Sequence, residues 1–179
     1  AKGFDLIHVH ILHWLVPRLR ERYPEKRIVL HHHGNNLREK QEEARRDSSY
    51  ADRVLYSTPD LGLYLGPDAQ WLPNPVDEEL FPPTALARPD RILFPQCYIK
   101  YRGCVPPILG RFPQAYVWRR YEKPLDHRQM PAFLSLWGQL IEWKPDVEYD
   151  RVDRPVLSVM ALESLRLGLR VYYWPREQW

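Results

Sequence analysis

The sequence is short of sulfur. Its 179 residues include only two cysteines, Cys97 and Cys104, and two methionines. Two cysteines supply neither a disulfide framework nor a CxxC metal or redox site, and they read as reduced thiols of a cytoplasmic protein. Long apolar runs are lacking too: none approaches the ~20 residues that span a bilayer, and no signal peptide is visible. Net charge is small. With 26 Lys and Arg against 23 Asp and Glu, the formal charge of +3 does not demand a nucleic-acid partner, and a mild basic bias suits a phosphorylated ligand equally well. The chain opens on Ala1 and not on Met, as a processed or partial chain would.

What is there is globular: 44% of residues are hydrophobic and 27% charged. Arginine far outnumbers lysine and proline is frequent, a bias that fits either a heat-adapted protein or a GC-rich genome. The first half alternates short β-rich runs (4–10, 26–33, 51–58) with helical ones. The stretch 14–23 puts Trp14, Leu15 and Leu19 on one side of a helix, and 36–49 reads as one charged surface helix. A proline-rich stretch, 74–90, reads as a linker. Alternation then resumes, with strands at 91–96, 115–121, 139–144 and 169–174 and helices at 128–137 and 156–167. Short apolar strands between helices predict parallel sheets covered on both faces. The fold class is therefore α/β, with two small Rossmann-like lobes, 1–85 and 86–179, each of which has a marginal core by itself.

Histidine is concentrated at two predicted strand ends: His8, His10 and His13, then His31, His32 and His33. In an open parallel sheet, ligands bind outside the carboxyl ends of the strands. An HxH on a strand puts two imidazoles on one face, as zinc would want, but no HExxH pattern or cysteine ligand accompanies them. The same residues could instead line a polar ligand cleft, or simply pack. In "HHHGNN" (31–36), Gly34 lets the backbone approach a ligand, Asn35 and Asn36 can cap the next helix, and His33 would point into the crevice.

Two cations, Lys100 and Arg102, precede Gly103 in a strand-to-helix loop and can clamp a diphosphate. In 154–174, Pro155 suits a first helical turn, so the N–H groups near Val156–Val159 would favour an anion. Glu163 lies two turns in, beside Met160 and Leu167, and its carboxylate could accept from a ribose diol. Gly168 reads as the helix C-cap.

In this order the motifs resemble the GT-B glycosyltransferases, specifically the large retaining family 4. "FDLIHVH", "VLHHHGNN", "ADRVLYSTPDL", "LPNPVDEELFPP", "RILFPQCYIKYRG" and "ALESLRLGLRV" are similar to successive family motifs, and the linker is the most specific of them. The resemblance covers most of 1–98 and 154–174 and is poor in 104–150. The chain is about half the family's usual length. The resemblance implies a GT-B arrangement, two parallel sheets facing a central cleft, and transfer of a sugar from a nucleoside-diphosphate sugar to a carbohydrate, lipid or protein acceptor with retention, no metal being required. It implies that Glu163, the second glutamate of an E-x7-E motif, contacts the donor ribose, with Arg154, Lys100 and Arg102 near the diphosphate. His10, His33, Gly34 and Asn35 would lie on the acceptor side, with His33, Lys100 and Arg102 closest to the chemistry. The first glutamate has no counterpart: Pro155 stands in its place.

Three rival readings come from the residues. One is a binding module that kept the fold without turnover. A second is a histidine-metal hydrolase. The third is a nucleic-acid binder stacking bases on Tyr and Trp, which the scattered arginines oppose. Aromatic ends at Tyr172, Tyr173, Trp174 and Trp179 would suit a homodimer.

Overall fold

A computed structural model describes residues 3–86, 88–96, 108–120, 122–143 and 156–174. Lys100, Arg102, Arg154 and Pro155 lie outside the described residues, as do Cys97, Cys104 and Trp179. The chain forms two compact units: among the described residues the first takes in those up to Asn74 together with Val156, and the second those from Pro75 to Trp143 and from Leu157 to Trp174. Among the described residues no helix is long and apolar enough to cross a membrane.

The first unit is built on four parallel strands, β1 (Leu6–His10), β2 (Arg27–His32), β3 (Arg53–Tyr56) and β4 (Gln70–Trp71), adjacent in chain order. Between them lie α1 (Val16–Arg22), α2 (Asn35–Glu39), α3 (Gln41–Ser48) and a 3-10 turn over Pro59–Tyr64. Parallel crossovers are right-handed, so steps that all run one way across a sheet deliver their helices to one face. Alternate residues face them. Ile7, Val9, Ile28 and Leu30 pack with Val16 and Leu19 of α1, and Tyr56 with Leu37, Ala44 and Leu61.

Arg20 fastens the start of this sheet. Its guanidinium donates to the carbonyls of Pro24 and Lys26 at 2.9 Å and to Asp52 at 2.6 Å. Asp52 also accepts from the Ile28 N–H at 2.6 Å. That N–H, and next the guanidinium, holds the Asp52 carboxyl below its usual range.

The second unit has parallel strands in the order β6-β5-β7-β8: β5 (Ile92–Gln96), β6 (Tyr116–Arg119), β7 (Gln139–Trp143) and β8 (Arg170–Trp174). Its helices are α4 (Ile108–Arg111), α5 (Met130–Leu134) and α6 (Val159–Leu167). The chain steps from β5 to β6, then crosses back to β7, so connections fall on both faces. Leu93, Trp118 and Leu140 pack with α5 and α6 residues including Leu134, Met160 and Leu167. Ile92, Phe94 and Ile141 pack with Leu109 and Phe112 on the opposite side.

Several local expectations change. The stretch 36–49 is two helices, broken at Lys40, where φ is −131°. Nor is it purely surface: Leu37, Ala44, Asp47 and Ser48 are buried against the sheet and its loops. Trp14 falls in a 3-10 turn before α1 and is 49% exposed, while Val16 takes the core position. The proline-rich stretch is not bare linker. Asp77 accepts from the N–H groups of Glu79 and Leu80, winding a turn that sinks Phe81 completely into the second unit's core. The last helix starts after Ser158, three residues later than Pro155 and Val156 suggested, because the Ser158 hydroxyl accepts from Ala161 N–H as its N-cap.

Gly138, at the entry to β7, lies against the Pro89 backbone so closely that a Cβ would overlap it. Backbone cannot swing aside as a side chain can, so Gly138→Ala should destabilise the protein by roughly 2–3 kcal/mol. A urea denaturation midpoint equal to that of the wild type would contradict this.

Candidate functional site

The register of β1 and β2 places the histidines. Parallel partners share a face, and His8 pairs with Val29 and His10 with His31. Since Ile7, Val9, Ile28 and Leu30 point to the helices, His8, His10 and His31 point the other way, and His33 continues that row past the strand end. The four rings form a contiguous group: centroids are 4.1 Å apart for His8 and His10, 5.4 Å for His10 and His31, and 4.0 Å for His31 and His33. Ligand-capable nitrogens of His8, His10 and His31 all lie within 4.8 Å of one another. His10 and His33, both expected on an acceptor side, are thus brought together at the carboxyl edge of the sheet, with Gly34 next in the chain.

A chain of hydrogen bonds orders this group. His33 Nδ1 is 3.3 Å from Asn74 Oδ1, and His33 Nε2 is 2.9 Å from His10 Nδ1. An amide oxygen only accepts, so the proton on His33 sits at Nδ1 and its Nε2 accepts from His10. Both nitrogens of His33 are engaged, so it positions its neighbours and is not poised as a free base. Gly34 has φ +138°, closed to most L-residues, which explains glycine there. Asn35 opens α2.

Burial, and after it the neighbouring imidazoles His33, His10 and His8, pushes His31 down to about 4. His32 also falls to about 4, from burial first and then His13, His31 and His33. His8 and His33 are lowered, mainly by burial. His13 and His32 do not join the row. They lie on the helix side, where His13 Nδ1 meets Asp47 at 2.9 Å and His32 Nε2 meets the Ser48 hydroxyl at 3.0 Å. That hydroxyl donates to the Ala44 carbonyl and therefore accepts from His32. His32 thus ties α3 to the sheet, and His13 ties it to the turn before α1.

In the second unit Glu163 is 4% exposed, and its Oε1 is 2.8 Å from Nε2 of the exposed His127. His127 opens a 3-10 turn after β6, behind the capping box of Asp126 and Gln129. Gly168 is the C-cap of α6 at φ +98°, with Leu169 N–H returning to the Ser164 carbonyl. The start of α6 departs from expectation. The Glu142 carboxylate accepts from Ser158 N–H at 3.0 Å and from its hydroxyl at 2.9 Å, so the protein's own anion already occupies the place expected for a diphosphate.

Sequence reasoning did not find His127, Glu142 or the part played by Asn74. His127 and Glu142 fall where family resemblance is poor, and each acts through a partner far along the chain. A hollow of about 590 Å³, lined by Arg45, Ser48, Asp52, Arg53, Asp68 and Gln70, opens at the amino ends of β3 and β4.

The buried histidines make stability depend on pH. An unfolded imidazole titrates near 6.5, whereas His31 and His32 take up protons only near 4. Between those values the unfolded chain binds more protons, so their contribution is complete above about pH 6.5 and is lost as pH falls towards 4. In chelator, the thermal midpoint should fall between pH 7.5 and 5.0, and His32→Gln should flatten the fall. An equally steep fall in the variant would count against His32.

Compared with family models, curated proteins and solved structures, the chain matches none.

Proposed function

We propose that the protein is a retaining glycosyltransferase of GT-B type, moving a sugar from a nucleoside-diphosphate sugar to an acceptor hydroxyl. The reading draws on the sequence motifs and on two units with all-parallel sheets. The observation that carries it is Glu163: a buried carboxylate at the middle of a nine-residue helix, with one exposed imidazole as its partner. Such a group is costly to bury and a good acceptor for vicinal ribose hydroxyls. Its partner, His127, is exposed and can yield one hydrogen bond to a ligand.

In this reading the second unit binds the donor. Glu163 takes the ribose, and Arg154, Lys100 and Arg102 offset charge developing on the leaving diphosphate. With Glu142 already at the start of α6, these side chains carry that task more than the helix terminus does. The first unit binds the acceptor at His10 and the Gly34–Asn35 turn, with His33 as a positioning residue. The chemistry needs no metal.

A second reading, binding of a sugar nucleotide without turnover, is favoured by one observation, Pro155 in place of the first glutamate of E-x7-E.

Calorimetric titration in EDTA with UDP, GDP, ADP and their sugars tests the proposal. Binding of one nucleotide is expected, weakened about tenfold or more by Glu163→Gln, a loss near 1.4 kcal/mol. Arg154→Ala and Lys100→Ala should weaken it too. Absence of binding by every nucleotide would overturn the reading. Release of nucleoside diphosphate over time separates transferase from binding module.

A further inference from the structure

We propose that His8, His10 and His31 form a binding site for one zinc-class divalent transition metal, with an open fourth coordination position, on the face of the first sheet away from its helices. This does not rest on the glycosyltransferase reading, whose ribose-binding group, Glu163, belongs to the other unit.

Three observations carry it. The first is convergence. Two imidazoles from alternate residues of one strand and a third from the facing residue of the next offer nitrogens within 4.8 Å. A tetrahedral ion with bonds of about 2.0–2.1 Å holds its ligand nitrogens about 3.4 Å apart. Closing the remainder takes a small rotation of the exposed His8 about its side-chain bonds, while His10 keeps its bond to His33.

The second is an unused lone pair. His31 Nε2 is buried and has no hydrogen-bond partner among the described residues. A neutral imidazole that carries its proton on Nδ1 presents Nε2 as a lone pair, which is the form that ligates a metal. A buried acceptor left without a partner otherwise costs about 1–3 kcal/mol.

The third is orientation of His10. The chain from Asn74 through His33 places the His10 proton on Nδ1 and leaves Nε2 as its lone pair. Directly after His10, Ile11 sits at φ +68°, strained for a β-branched residue, and its N–H is bonded to the His31 carbonyl at 2.9 Å. The backbone at this end of β1 is held in place against its own preference.

Imidazole nitrogens select zinc, cobalt, nickel or copper over magnesium and calcium, which want oxygen. Three protein ligands leave room for water or a substrate oxygen. That vacancy separates catalytic zinc sites from structural ones, which are closed by four protein ligands.

The full-length protein, stripped with EDTA and titrated with zinc chloride by calorimetry, should bind about one zinc per chain. Cobalt chloride should give the visible absorption of a tetrahedral centre. His8→Ala and His10→Ala change exposed residues, so circular dichroism should be unaltered while zinc affinity falls at least a hundredfold. Asn74→Ala should cost about tenfold through loss of orientation. His127→Ala, outside the cluster, should bind as the wild type does. Failure of the wild type to bind zinc stoichiometrically at micromolar concentration would overturn the proposal. So would unchanged affinity in the His8→Ala, His10→Ala double variant, or an equal loss in His127→Ala. Nucleotide titration in EDTA, with Glu163→Gln as its control, does not involve the three histidines, so either idea can fail without the other.

Discussion

Right-handed crossover between parallel strands is the constraint on which the first unit depends. Its four strands follow one another across the sheet in chain order, so every connection is driven to the same side. The apolar half of each strand is used there. The alternate half is left to whatever the sequence supplies, and in β1 and β2 it supplies imidazoles. The pattern Ile7-His8-Val9-His10 has no freedom to slip. A shift by one residue would bury two histidines among Val16, Leu19 and Leu30 and expose two aliphatic side chains. The hydrophobic face thus fixes the histidine face, although the two share no side-chain contact.

The second unit solves the same problem differently. Its chain reverses direction across β5, covers both faces, and creates the edge position at which parallel sheets bind ligands. Two buried carboxylates of this unit have different tasks. Glu142 is spent on Ser158 and fixes where α6 begins, whereas Glu163 meets one exposed imidazole, that of His127. Position relative to the helix start, and not burial, distinguishes a structural carboxylate from a candidate ligand group here.

Much of this was legible in the sequence. Strand and helix order could be read from apolar runs because every strand is short and bounded by polar or proline-containing turns. The HxH alternation announced two rings on one face. Gly168 announced its C-cap. Three kinds of feature could not be read. Partners distant in sequence, such as His127 for Glu163 or Asn74 for His33, leave no local pattern. The break at Lys40 is invisible because its neighbours all favour helix. The burial of Phe81 was masked by prolines, which signal an absence of helix and strand but not an absence of packing. Of the residues expected to meet the donor, only Glu163 is described, so the cationic half of that expectation stands on sequence alone.

Phe81 has a consequence for dividing the chain. The unit boundary precedes it, its ring fills the second unit's core, and it lies 5.4 Å from the His127 ring that holds Glu163. An excised second half that began at residue 86, where prolines suggest a cut, would lose a fully enclosed phenyl ring. It would collapse around a void beneath the very imidazole that partners Glu163. Inheritance of an intact C-terminal module, by recombination or by design, therefore requires the Asp77 turn to travel with it.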